Sequence, residues 1–159
     1  MKYLGTVVFA LAGTFTLMIF GGIIGAILFP VGPVTLLSGD QISLMESFGR
    51  MALVALYTTI SMTGMLALGL FISTLTTVPV GAMAATVVLA GVSQILDNLP
   101  QLSWLHEWLF THYWLDFADL LRQPIELGSL VSNALLQLGY IAVFGALAYS
   151  RFTTKDILS

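Results

Sequence analysis

The chain has no cysteine and very little charge. Its 159 residues include five Lys and Arg, eight Asp and Glu and two His, against a hydrophobic share of 58%. Without cysteine there is no disulfide, no thiolate nucleophile and no thiolate metal site. Five basic residues and a net charge of −3 argue against a nucleic-acid partner, since phosphate binding needs clustered Lys and Arg. A charged share of 8% falls far below the roughly 25% of an ordinary soluble domain, so a water-facing surface cannot be assembled from this sequence.

The scarcity of charge is also patterned. No ionisable side chain of Asp, Glu, Lys, Arg or His occurs from Leu4 to Phe29, from Met51 to Leu96 or from Leu127 to Ser150. Such groups are expensive at the centre of a bilayer, where backbone polar groups must also be satisfied within a helix or a closed barrel. The mean hydropathy of +0.98 agrees. These tracts predict an all-α membrane protein. They also lack the intramembrane acids or histidines of a proton relay, and no Gly-rich phosphate loop with Lys is present. No nucleophile–base pair is identifiable. The chain is therefore expected not to be an enzyme, with no cofactor and no residue assigned to catalysis or metal binding. Any uphill movement it takes part in must draw energy from another subunit.

A bilayer core of about 30 Å needs about 20 helical residues. The first span is expected over residues 4–29, stopped by Pro30, Gly32 and Pro33. It is too long for a signal-peptide core and is read as a retained helix. A loop follows through Ser38, Gly39 and Asp40 to about Ser47. The tract from Met51 to Leu96 is twice what one crossing needs, and the run from Ser73 to Pro79 is where it divides. This gives a second span over residues 49–73 and a third over 79–96. The fourth covers 129–149. All 159 residues form a single transmembrane domain. Four crossings place both termini on one side; Lys2, Arg151 and Lys155 there predict cytoplasmic termini at a plasma (inner) membrane.

Between the third and fourth spans, residues 98–126 hold all three Trp (Trp104, Trp108, Trp114), both His and four of the acids. At helical spacing, Tyr113, Phe117, Leu120 and Leu121 share a face opposite Asp116, Asp119 and Arg122. One or two short amphipathic helices, about residues 101–123, are expected at or dipping into the outer membrane surface.

Three smaller patterns invite chemistry. His106, Glu107, His112 and Asp116 resemble a metal set, but a single helix cannot aim His106 and His112 at one ion; an interfacial polar fringe is the better reading. Gly21 and Gly25, and Gly64 with Ser61 and Ala67, have the small-residue spacing that lets helices approach in lipid. Thr14, Thr16, Thr58, Thr59, Ser61, Thr63, Ser93, Gln94, Asn133 and Gln137 lie inside spans. Asn133 and Gln137 share a face, and hydrogen bonding between helices is favoured over substrate contact.

The order of these pieces resembles the permease subunit of the type-two ATP-binding-cassette transporter family. A Lys leads into a long aliphatic helix closed by a Pro/Gly loop, Lys2 to Pro33. A helix pair is joined by a Ser/Thr turn within Gly69 to Thr77. An aromatic surface segment, Trp104 to Trp114, follows Leu99-Pro100. The chain closes on Tyr149-Ser-Arg-Phe-Thr-Thr-Lys-Asp-Ile157, similar to the family's aromatic-basic-Asp-Ile ending. Members typically have six spans, and this chain corresponds to the last four, as a fragment, a truncated frame or a shortened variant would. The resemblance implies a permease component lining a path with a second permease subunit, as homo- or heterodimer, and driven by an ATPase subunit. The alternative is a four-helix membrane scaffold that transports nothing. An intramembrane enzyme using His106, His112 and Glu107 is the least favoured reading.

Overall fold

The computed structural model describes residues 2–156, with side chains from Leu4 to Thr153. The closing Ile157 of the family-like ending lies outside the described residues, as do the side chains of Lys2, Lys155 and Asp156. The fold is all-α apart from one tiny hairpin. Its helices are α1 (Lys2–Leu28), α2 (Leu44–Leu75), α3 (Pro79–Asp97), the single-turn α4 (Ser103–His106) and α5 (Gly128–Asp156). Two 3-10 helices, Pro100–Leu102 and His112–Leu121, flank α4. Four of these helices, α1, α2, α3 and α5, are long and apolar enough to cross a membrane.

Helix α2 is the centre of the bundle and touches α1, α3, α5 and the longer 3-10 helix. In its most apolar window 39% of residues are buried, against none in the window of α1. Neighbouring contacts fix the directions. Ser61 meets Asn133 and Gly64 meets Gln137, so α2 and α5 run parallel. Gly69 sits against Thr86, beyond the turn at Pro79, so α3 returns antiparallel. Thr6 shares a cleft with Leu70 and Ser73, which sets α1 antiparallel as well. The start of α1, the α2–α3 turn and the end of α5 therefore lie at one end of the bundle.

The helix boundaries depart from the sequence reading where charge is taken as a helix end. Helix α2 starts at Leu44, not Gly49, because Ser43 caps it by accepting the Glu46 amide at 3.2 Å. Arg50 is thus inside the helix. Helix α5 continues past Tyr149 to Asp156, since leaving an apolar layer does not oblige a helix to stop. The expected loop before α2 contains an antiparallel pair, β1 (Val34–Thr35) and β2 (Gln41–Ile42). Its turn needs Gly39, whose φ of 90° is costly for a residue with a Cβ. Buried Leu36 and Ile42 anchor the hairpin, and the Leu37 amide donates to the Leu121 carbonyl at 3.0 Å.

Candidate functional site

The helices enclose a polar centre with an unusual occupant. Residues 107–111 form no helix, yet Leu109, Phe110 and Thr111 are all buried between α2, α3 and α5. Phe110 belongs to the core cluster with Leu68 and Ala90, and meets Tyr140 and Trp114 edge-on at 5.5 and 6.0 Å. A non-helical turn in an apolar interior exposes carbonyls that need donors.

Side chains from three surrounding helices supply them. Tyr140 Oη donates to the Trp108 carbonyl at 2.9 Å, and Gln137 Nε2 to Phe110 at 3.0 Å. Gln94 Nε2 reaches the Thr111 carbonyl at 3.5 Å, and Tyr57 Oη donates to Tyr113 at 2.6 Å. Within the turn, the His112 and Trp114 amides donate to Leu109 and Thr111. The Thr111 hydroxyl pairs with Ser93 at 2.6 Å.

Behind this shell the helices bond to each other. Gln137 Oε1 accepts the Gly64 amide at 3.0 Å, while its Nε2 also donates to Asn133 Oδ1 at 3.1 Å. Asn133 Nδ2 donates to Ser61 Oγ at 2.7 Å, and Trp114 Nε1 donates to the Ser61 carbonyl at 3.1 Å. Of the polar residues singled out in the spans, Ser61, Ser93, Gln94, Asn133 and Gln137 come together here. Thr14, Thr16, Thr58 and Thr59 do not; each bonds a carbonyl four residues back in its own helix.

Gly64 is where α5 comes closest to α2: a Cβ there would overlap Gln137 Oε1 and press on Tyr140 Cβ at 3.2 Å. Ala67 and Ser61 beside it are buried. The glycine groove expected there is real. At Gly21 and Gly25, by contrast, a Cβ would meet nothing within 4 Å.

A charged layer caps this centre. Arg50, only 4% exposed, donates through Nη1 to the Leu120 and Arg122 carbonyls at 3.2 and 2.6 Å, and through Nη2 to Glu46 and Gln123. It thereby holds the end of the longer 3-10 helix against α2. His112 Nδ1 faces Asp97 Oδ1 at 2.6 Å, bringing an imidazole to a carboxylate at the C-terminus of α3, where the helix dipole disfavours negative charge. Burial raises the Asp116 carboxyl above its usual range, and Asp119 and Asp97 push the same way while His112 opposes them.

Residues 107–111 bend the chain, so His106 and His112 are not on one helix, and their rings approach to 6.1 Å. The geometric objection to the pair therefore falls. Even so, among the described residues no group of three His, Cys, Asp or Glu is placed to hold a metal ion. His106 Nε2 is instead 3.1 Å from the Leu99 carbonyl. The segment as a whole is not a regular amphipathic α-helix. Leu120 is buried, but Tyr113, Phe117 and Leu121 are half-buried, as are Asp116 and Asp119. Trp104 and Trp108 are exposed, whereas Trp114 turns inward.

Tyr57, Tyr140, Trp114 and Arg50 are the participants that the sequence reading passed over. A signal existed for two of them. Tyr57 lies four residues before Ser61, and Tyr140 three after Gln137, so each shares the face of a flagged polar residue.

Two lateral clefts complete the surface. One of about 480 Å³ lies among α1, α2 and α3 at Thr6, Gly69, Ser73 and Thr86. The other, about 430 Å³, lies beside α5 at Trp108, Leu135, Gly139 and Val143. Comparison with protein-family models, curated proteins and solved structures finds no match to the chain.

Proposed function

We propose that the chain is a multi-pass protein of the plasma membrane and works as the permease component of an ATP-driven transporter of the cassette type, energised by a separate ATPase subunit. The observation that carries its membrane placement is the treatment of the buried turn at Leu109–Thr111. The Phe110 and Thr111 carbonyls are met by Gln137 and Gln94, and those of flanking Trp108 and Tyr113 by Tyr140 and Tyr57, an arrangement suited to a non-helical turn kept from both lipid and water. With four helices long enough to span, this supports a re-entrant segment entering from the end of the bundle opposite the termini. Exposed Trp104 and Trp108 suit the lipid–water boundary. Cytoplasmic termini and a second permease subunit belong to the same proposal.

The transport reading draws on the family-like closing sequence and on the state of the interior. The buried turn fills the polar centre, which favours a path formed between chains over one through this bundle. The filled centre also favours a second reading, a four-helix scaffold on which another protein assembles.

Membrane fractionation with alkaline extraction comes first, and the chain is expected to stay in the pellet. Copurification then separates the two readings. Recovery of a Walker-motif ATPase with the tagged chain supports the permease. Recovery of other partners without an ATPase, and unchanged flux on deletion, supports the scaffold.

A further inference from the structure

We propose that α2 contains a hinge at Ser61–Gly64, about which its N-terminal half and residues Tyr113–Leu121 of the longer 3-10 helix swing as one body against the rest of the bundle, while His112 stays on Asp97 of α3. The two halves of α2 are fastened to different things. Above the hinge, Arg50 grips the Leu120 and Arg122 carbonyls and Tyr57 bonds the Tyr113 carbonyl, so this half carries the 3-10 helix with it. Below it, Gly69 sits on Thr86 of α3, and Phe71 packs on Phe144 of α5 with ring centres 5.7 Å apart. The buried turn at Phe110 and Thr111 stays with the lower body through Gln137 and Ser93.

Bending a helix breaks bonds from an amide to the carbonyl four residues back, and in an apolar interior the freed groups need new partners. At this one turn substitutes are already in place. The Ile60 carbonyl accepts Thr63 Oγ1 at 2.6 Å, the Ser61 carbonyl accepts Trp114 Nε1 at 3.1 Å, and the Gly64 amide donates to Gln137 Oε1 at 3.0 Å. Just above, the hydroxyls of Thr58, Thr59 and Ser61 bond back to the Val54, Ala55 and Tyr57 carbonyls, a pattern that bends helices. Gly64 adds backbone freedom at the same place. A helix end that opened here would keep the Ile60 and Ser61 carbonyls and the Gly64 amide partnered, which lowers the cost of bending at this turn.

The absence of cysteine makes the test direct. Met45→Cys and Val143→Cys, both at exposed positions, carry nitroxide labels on the upper half of α2 and on α5, and their separation is read by pulsed electron–electron resonance in lipid nanodiscs. A bend of about 20° at Ser61 would carry Met45, ~24 Å along the axis, through about 8 Å. Two distance populations are expected, differing by several ångströms. Trp114→Phe and Gln137→Leu each remove one substitute partner, and either is expected to deplete the bent population at least threefold. A control pair on α5, Val131→Cys with Leu147→Cys, is expected to give one distance.

A single narrow population in the parent overturns the hinge. So do two populations that neither variant alters, or a control pair that splits as well. The hinge depends on the bundle alone, so it stands or falls separately from the recovery of an ATPase.

Discussion

Gln137 and Gly64 interlock: the side-chain oxygen of one accepts the backbone amide of the other at 3.0 Å and fills the space in which a β-carbon would stand. The contact is possible only because residue 64 has no side chain, and it draws α5 onto α2 at the level of the buried turn. An amide side chain in an otherwise apolar stretch of helix becomes the joint of three segments.

Gly64→Ala is therefore expected to destabilise the chain by about 1–3 kcal/mol, the usual range for overpacking. Gln137 has a flexible end, but its bonds to Phe110 and Asn133 resist the shift. Gln137→Ala in the same chain should relieve the overlap, so the double variant is expected to lose less than the sum of the singles. Thermal unfolding of the four proteins in one detergent checks this, and strict additivity would count against the contact.

Gln137→Leu keeps the volume and removes three links, leaving the Phe110 carbonyl and Asn133 Oδ1 without this donor and the Gly64 amide with its helical partner alone. Each buried group left unsatisfied costs about 1–3 kcal/mol, so a loss of at least ~2 kcal/mol is expected. Thr16→Val, at an exposed site whose hydroxyl bonds only its own helix, should change stability by less than about 0.5 kcal/mol. Equal effects of the two substitutions in a denaturant titration would contradict the central role of Gln137.

Arg50→Met should release the end of the 3-10 helix, because the Leu120 and Arg122 carbonyls lose their donor. Arg122 is itself exposed and offers a trypsin site. Cleavage there is expected to quicken at least tenfold in the variant, as local opening becomes more frequent. No change in the cleavage rate would mean that other contacts hold this end.

Asp116 gives a pH prediction with a definite sign. Burial, with Asp119 and Asp97, raises its folded value above the ordinary 3.8, and His112 only partly opposes this. The fold therefore favours the protonated carboxyl, and that contribution is complete below the unfolded value and lost as pH rises through the folded one. Asp116→Asn is expected to gain melting temperature over the parent as pH rises above about 4, with the gap widening until the folded carboxyl is ionised. A constant gap, or a variant less stable at neutral pH, would contradict the stated cause.

The sequence was most legible where one physical demand dominates. Charge-free runs located the apolar middles of all four long helices, with charge confined to their ends. It was least legible where charge lies inside the fold. Arg50 reads as a helix end, yet it is buried and bound to carbonyls 70 and 72 residues away, which no local pattern announces. The spacing Ser43-x-x-Glu46 is that of a helix cap, and the structure forms it. The shared face of Asn133 and Gln137 follows from helical spacing, and both are buried and bonded to each other. That they serve a turn at Phe110 could not be foreseen. Periodicity allows one or two short helices over residues 101–123 but does not say where they part; tertiary donors let the chain break at 107–111 and drop between its neighbours.

The manner in which the buried turn is held bears on how such a chain can change over generations. A carbonyl is the same in nearly any residue, so the hold exerted by Tyr140 and Tyr57 is indifferent to which side chains follow Trp108 and Tyr113 in other lineages. The sockets have no such latitude, because an amide or a phenol must be there to reach in. Drift should thus be freer at exposed Trp108 than at the helical positions that reach it, or at Phe110 and Thr111, whose own side chains pack in the core and bond Ser93.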